Sequence, residues 1–182
     1  LFTNSGIKVE DATTMIKGFS NEAAASGASA SSAAGAALQL SQALSSGIIR
    51  AQDWNSLGVA QIGNANMKDG LVKIAAAMGT LNETSTSAEE IQSNFKGSLE
   101  KNWLTAGVMT EYLKIMAGEM DYASMSALGL DDAQIQLFQN QAKMAEESAT
   151  KVRTFTQMIG VIKESLASGW TETWELVFGG FN

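Results

Sequence analysis

A chain of 182 residues with a formal charge of −7 and neither cysteine nor histidine lacks disulfides, zinc sites of the usual kind, thiol nucleophiles and the commonest general base. Its 12 Lys and Arg residues are scattered among 19 Asp and Glu, which disfavours a phosphate-tracking surface and direct nucleic-acid binding, and no stretch approaches the ~18 apolar residues of a membrane helix. Proline is absent where average usage predicts roughly nine; because helix interiors exclude proline most strongly, the composition points to helix throughout.

Val9, Ala12, Met15, Ile16 and Phe19 fall three and four apart and predict a helix over about 9–27. Glu10 and Asp11 sit in its first turn, where the helix dipole favours them. Residues 23–37 are only Ala, Ser and Gly. Such a stretch suits a linker, but its run into Leu38, Leu40 and Leu44 favours a helix broken near Gly27, with small residues that admit a close neighbour. Gly47 is placed as a C-terminal cap. A short helix with Trp54 and Leu57 follows, then a Gly/Asn-rich break at 63–66, a helix over 67–78 closed by Gly79, and a loop at 84–87. Ser87 and Glu90 have the spacing of a capping box ahead of Ile91, Phe95 and Leu99. Two further helices are predicted at 105–117 and 122–128.

From Asp131-Asp132 the pattern lengthens. Ile135, Phe138, Ala142, Ala145, Ala149, Val152, Phe155 or Thr156, Ile159, Ile162, Leu166, Trp170, Trp174 and Val177 alternate in three- and four-residue steps, a heptad-like stripe of the coiled-coil kind. Gly160 and Gly169 weaken it, with a kink expected near 168–169. The expected fold class is therefore all-α. Several short helices pack as a compact bundle over 1–130, with 1–37 assigned on Ala/Ser-rich composition, followed by a long amphipathic, heptad-like helix over 131–182. The opening on Leu1 and a stripe that runs to the last residues lead us to expect a piece of a longer protein. Aromatic and branched residues bury the most area at core positions, so Phe155, Ile159, Ile162, Leu166, Trp170 and Trp174 are the candidates for self-association.

Chemical motifs are weak. Ser5/Lys8, Ser93/Lys96 and Ser98/Lys101 have the Ser-x-x-Lys spacing that sets a lysine beside a nucleophilic serine, but Ser-Asp-Asn and Lys-Thr-Gly elements are missing and a Ser-rich chain produces such matches by chance. The pairs Glu10-Asp11, Glu89-Glu90, Asp131-Asp132 and Glu146-Glu147 diverge by about 100° around a helix, and three of them fall in first turns. No phosphate-binding or dinucleotide fingerprint is present, and Asn82-Glu83-Thr84 matches a glycosylation sequon without secretory context. No catalytic, cofactor-binding or metal-binding residue is expected.

Several stretches resemble the tail tape measure proteins of long-tailed bacteriophages and prophages. Leu40-Ser41-Gln42-Ala43-Leu44-Ser45-Ser46-Gly47 followed by Arg50-Ala51-Gln52-Asp53-Trp54-Asn55-Ser56-Leu57 is similar to one family stretch. Phe95-Lys96-Gly97-Ser98-Leu99 running into Trp103-Leu104-Thr105 is similar to a second, and Lys151 to Gln157, Lys163 to Leu166, Ser168-Gly169-Trp170, Trp174 and Phe178-Gly179 to a third and more specific one. Family members often carry proline after the Asp-Trp-Asn stretch, whereas 59–67 here has none. The resemblance implies a non-enzymatic virion protein that sets tail length, scaffolds assembly of the tail tube and is released during DNA ejection. It would act in the host bacterial cytoplasm during assembly and then in the lumen of the virion tail. The implied partners are other copies of itself in a helical oligomer, tail tube proteins and tail-tip proteins. Beside this stand a helical partner-binding module of a secreted or surface protein and, well behind, a Ser-x-x-Lys hydrolase.

Overall fold

The computed structural model describes residues 9–152, and the structural statements below refer to them. Helix α1 (Val9–Ala25) follows the predicted stripe and buries Met15, Ile16, Phe19 and Ala23. Gly27, at φ +74°, takes the left-handed conformation that glycine adopts without steric penalty. Ser29 then accepts a hydrogen bond from the Ser32 amide and opens α2 (Ala30–Ser46). Ala33, Ala34, Ala36 and Ala37 are buried, so the Ala/Ser-rich stretch is packed helix and not linker. Gly47, at φ +85°, closes it.

In α3 (Ala51–Val59) the first turn is held by the Arg50 amide donating to the Asp53 carboxylate at 2.8 Å, and Trp54 and Leu57 turn inward. Helix α4 (Ala65–Ala77) starts two residues before the expected position because Asn64 caps it, accepting from the Met67 amide at 2.9 Å. A single turn, α5 (Thr80–Glu83), follows. The segment expected as one helix after Ser87 is divided into α6 (Ala88–Ser93), α7 (Phe95–Ser98) and a 3₁₀ turn (Leu99–Lys101). Asn94, at φ −150° and ψ 78°, leaves the helical region and uses its side chain to cap α7 at the Gly97 amide. Ser87 does cap α6, accepting from the Glu90 amide at 3.1 Å, while the Glu90 carboxylate pairs with Lys101 at 2.7 Å instead of completing the box. Helices α8 (Ala106–Met116) and α9 (Tyr122–Leu128) have Thr105 and Asp121 as N-caps. Asp131 and Gln134 exchange backbone-to-side-chain hydrogen bonds of 3.0 and 2.8 Å at the start of α10 (Asp132–Val152).

The core centres on the mutual packing of α1, α8 and α10. Helix α1 packs most extensively on α8 and α10, α10 also meets α8, and α4 packs on α8. The approach of α1 to α8 depends on Gly18, where a Cβ would lie 1.9 Å from the Leu113 carbonyl oxygen. A second centre joins α3 to α7: the Trp54 and Phe95 rings are 4.6 Å apart, Phe95 meets Trp103 edge-on at 5.7 Å, and the Lys68 ammonium stands 5.3 Å over Phe95. The segments before α3 and before α8 are joined through their backbones. Ile49 donates to the Leu104 carbonyl at 2.9 Å and Ala106 to the Gly47 carbonyl at 2.8 Å. The isolated bridge between Ile48 and Thr105 is the nearest approach to sheet among the described residues.

The first half of the heptad-like stripe is seated in this bundle: Ile135, Phe138, Ala142, Ala145 and Ala149 are all buried. The continuation, including Phe155, Ile159, Ile162, Leu166, Trp170 and Trp174 and the kink expected near 168–169, lies outside the described residues.

Candidate functional site: a pocket over a buried carboxylate

Glu22 occupies a position on α1 that the spacing from Met15 and Phe19 assigns to the core face, and it is only 3% exposed. A carboxylate in that position must find donors or lose its charge. The Tyr112 hydroxyl, from α8, donates to Oε2 at 3.0 Å, and Asn64 Nδ2, from the start of α4, donates to Oε1 at 3.2 Å. Asn64 is fully committed: its oxygen caps α4 at the Met67 amide and its nitrogen also donates to Ser26 Oγ at 2.9 Å. The requirement for an acceptor at Met67 fixes which end of the amide faces Glu22. Burial raises the Glu22 pKa above its ordinary 4.5, opposed by the hydrogen bonds from Tyr112 and Asn64. Burial, the Glu22 charge and that same hydrogen bond push the Tyr112 hydroxyl well above the usual phenol range.

Over this cluster opens a cavity of about 350 Å³ between α1, α4, α8 and α10. Its walls are mixed. Ala25, Met116, Met144 and Ala145 supply apolar surface, while Gln141 and Ser148 add neutral polar groups and Glu147 and Lys151 also line it. Among the described residues no lysine or arginine forms an ion pair with Glu22. A second concavity of about 340 Å³ between α2 and α3 is lined by small side chains and by Val59, itself 85% exposed.

The residues singled out in the sequence have other employment. Ser98 Oγ donates to the Phe95 carbonyl at 2.7 Å and accepts from Trp103 Nε1 at 3.0 Å, while the Lys101 ammonium binds Glu90 and the Ser85 carbonyl. Serine and lysine therefore do not meet. Ser93 donates to the Glu90 carbonyl at 2.9 Å, and Ser5 and Lys8 lie outside the described residues. The carboxylate pairs do not converge either. Asp11 meets Lys114 at 3.0 Å, Glu146 approaches Lys17 at 3.6 Å, and Asp132 accepts from the Tyr122 hydroxyl. No cluster of three or more possible metal ligands occurs among the described residues, and no helix among them is long and apolar enough to cross a membrane.

Glu22, Tyr112 and Asn64 escaped the sequence reading. Glu22 did carry a signal, a charge on a core stripe. Tyr112 and Asn64, 90 and 42 residues away along the chain, carried none, because only the crossing of α1, α4 and α8 brings them together. Comparison with known protein families, with curated proteins and with solved structures finds no match to this chain.

Proposed function

We propose that this chain is a structural segment of a phage tail tape measure protein, a compact helical module leading into a long helical rod. The observation that carries the reading is the family-like sequence at Leu40–Leu57 and from Lys151 onward, above all Ser168-Gly169-Trp170 with Trp174 and Phe178-Gly179. The helical character fits a ruler, since an α-helix converts residue number to length at about 1.5 Å per residue. The seating of Ile135 to Ala149 on α1 and α8 gives the rod an anchored beginning. Its partners in this reading are further copies of the chain, tail tube proteins and tail-tip proteins.

The test is an in-frame duplication of four heptads from the helical region of the parent gene, with tails measured by electron microscopy. Tails longer by about 40 Å, 28 residues at 1.5 Å each, are expected; tails of unchanged length would overturn the ruler. A second reading, a helical partner-binding module, draws its support from the open pocket over Glu22.

A further inference from the structure

We infer that the pocket over Glu22 is a receptor for a primary ammonium carried on an unbranched aliphatic stem, the chemistry of a lysine side chain or of a free alkylamine. The inference rests on the pocket alone and is independent of the tail reading.

Three features of the site select this chemistry. The floor is a carboxylate that, among the described residues, is hydrogen-bonded by neutral donors only, and a buried charge without a counter-charge is unfavourable. Lys151 lines the same pocket but forms no ion pair with Glu22, so a cation brought by a ligand can take the counter-charge position. Tyr112 and Asn64 each occupy one acceptor position on a different oxygen of Glu22, so acceptor positions remain on both oxygens for the donors of an ammonium. The cavity, about 350 Å³, falls at the small end of the roughly 300–1,000 Å³ typical of ligand pockets. The Met116, Met144 and Ala145 surfaces match methylenes, while Glu147 and Lys151 add one charge of each sign to the same wall. Met144, 68% exposed, stands at the pocket with the adaptable thioether side chain that re-packs around a guest.

The experiment uses the full chain labelled with ¹³C at its methionine methyls, titrated separately with n-butylammonium chloride and with Nα-acetyl-lysine methylamide, against n-butanol and sodium chloride as controls. Saturable shifts confined to the Met116 and Met144 methyls are expected from both amines and from neither control. Glu22→Gln, which keeps the volume and removes the charge, is expected to weaken binding at least tenfold. Ala25→Leu, a change at an exposed position on the pocket wall, should weaken it comparably without touching the core, and it decides the matter if the Glu22 variant does not fold. Tighter binding of the capped lysine identifies a partner's side chain as the natural guest; tighter binding of butylammonium identifies a free amine. Shifts that do not saturate, that n-butanol reproduces, or that persist unchanged in both variants overturn the inference.

Discussion

Gly18 shows how much one missing methyl group decides. A Cβ there would meet the Leu113 carbonyl oxygen at 1.9 Å and its carbon at 2.8 Å, and backbone cannot rotate away as a side chain can. Gly18→Ala is expected to lower stability by about 3 kcal/mol, the upper part of the range for overpacking, as the midpoint of urea unfolding would report. Gly35, also helical but with nothing within 4 Å of its Cβ position, gives the opposite sign: Gly35→Ala should stabilise by about 0.5–1 kcal/mol through helix propensity. Glu22 contributes a pH dependence. Its folded pKa lies above 4.5 because burial outweighs the Tyr112 and Asn64 hydrogen bonds, so the folded state binds its proton more tightly than the unfolded state does. The stability this confers is complete below 4.5 and is lost as pH rises through the folded value. Denaturant unfolding of the parent protein and of Glu22→Gln across that window should therefore show the parent losing stability relative to the variant as pH rises, by at most ~1.4 kcal/mol per pH unit. A constant difference would place Glu22 at its ordinary pKa.

Helix ends were more legible than helix unions. Thr105, Asp121 and Ser87 cap the helices after them as their residue types promise. At Asp131 the reciprocal bonds with Gln134 supply acceptors for two of the backbone donors that a helix start leaves unpaired. Asp131→Ala is expected to cost about 1 kcal/mol and to loosen the first turn of α10, seen as faster amide exchange at Gln134. The break at Asn94 could not be read in this way, because the spacing of Ile91, Phe95 and Leu99 is that of one continuous helix. What divides it is the demand that Phe95 reach Trp54 and Trp103 together, with Ser98 turned to accept from the Trp103 indole. Long-range partners overrode a local period there, as they commonly do over segments of a few turns.

For the whole molecule, the question is where the apolar stripe of α10 finds its cover. Through Ala149 the cover is α1 and α8 of the same chain. The ruler reading assigns the later positions to other copies, so light scattering across a concentration series should give a mass that rises with concentration and falls back when Ile159 and Ile162 are both replaced by Asp. A strict monomer at every concentration would count against self-association through those residues. The surface ion pairs, such as Lys17 with Glu119 at 3.1 Å, join distant parts of the bundle but are half-exposed and contribute little individually.

The sequence by itself determined the helical class and most of the helix boundaries, and favoured helix over linker in the Ala/Ser-rich stretch, because missing proline, three- and four-residue spacing, caps and glycines act within one or two turns. The charge on the α1 stripe was equally visible in it. Only the tertiary structure decided that Glu22 would meet Tyr112 and Asn64 beneath an open pocket, that Ser98 and Lys101 would serve different neighbours, and that Gly18 would lie against the Leu113 backbone. Each of these depends on which faces cross at which height, and that is fixed by contacts between residues dozens of positions apart, for which a local pattern holds no record.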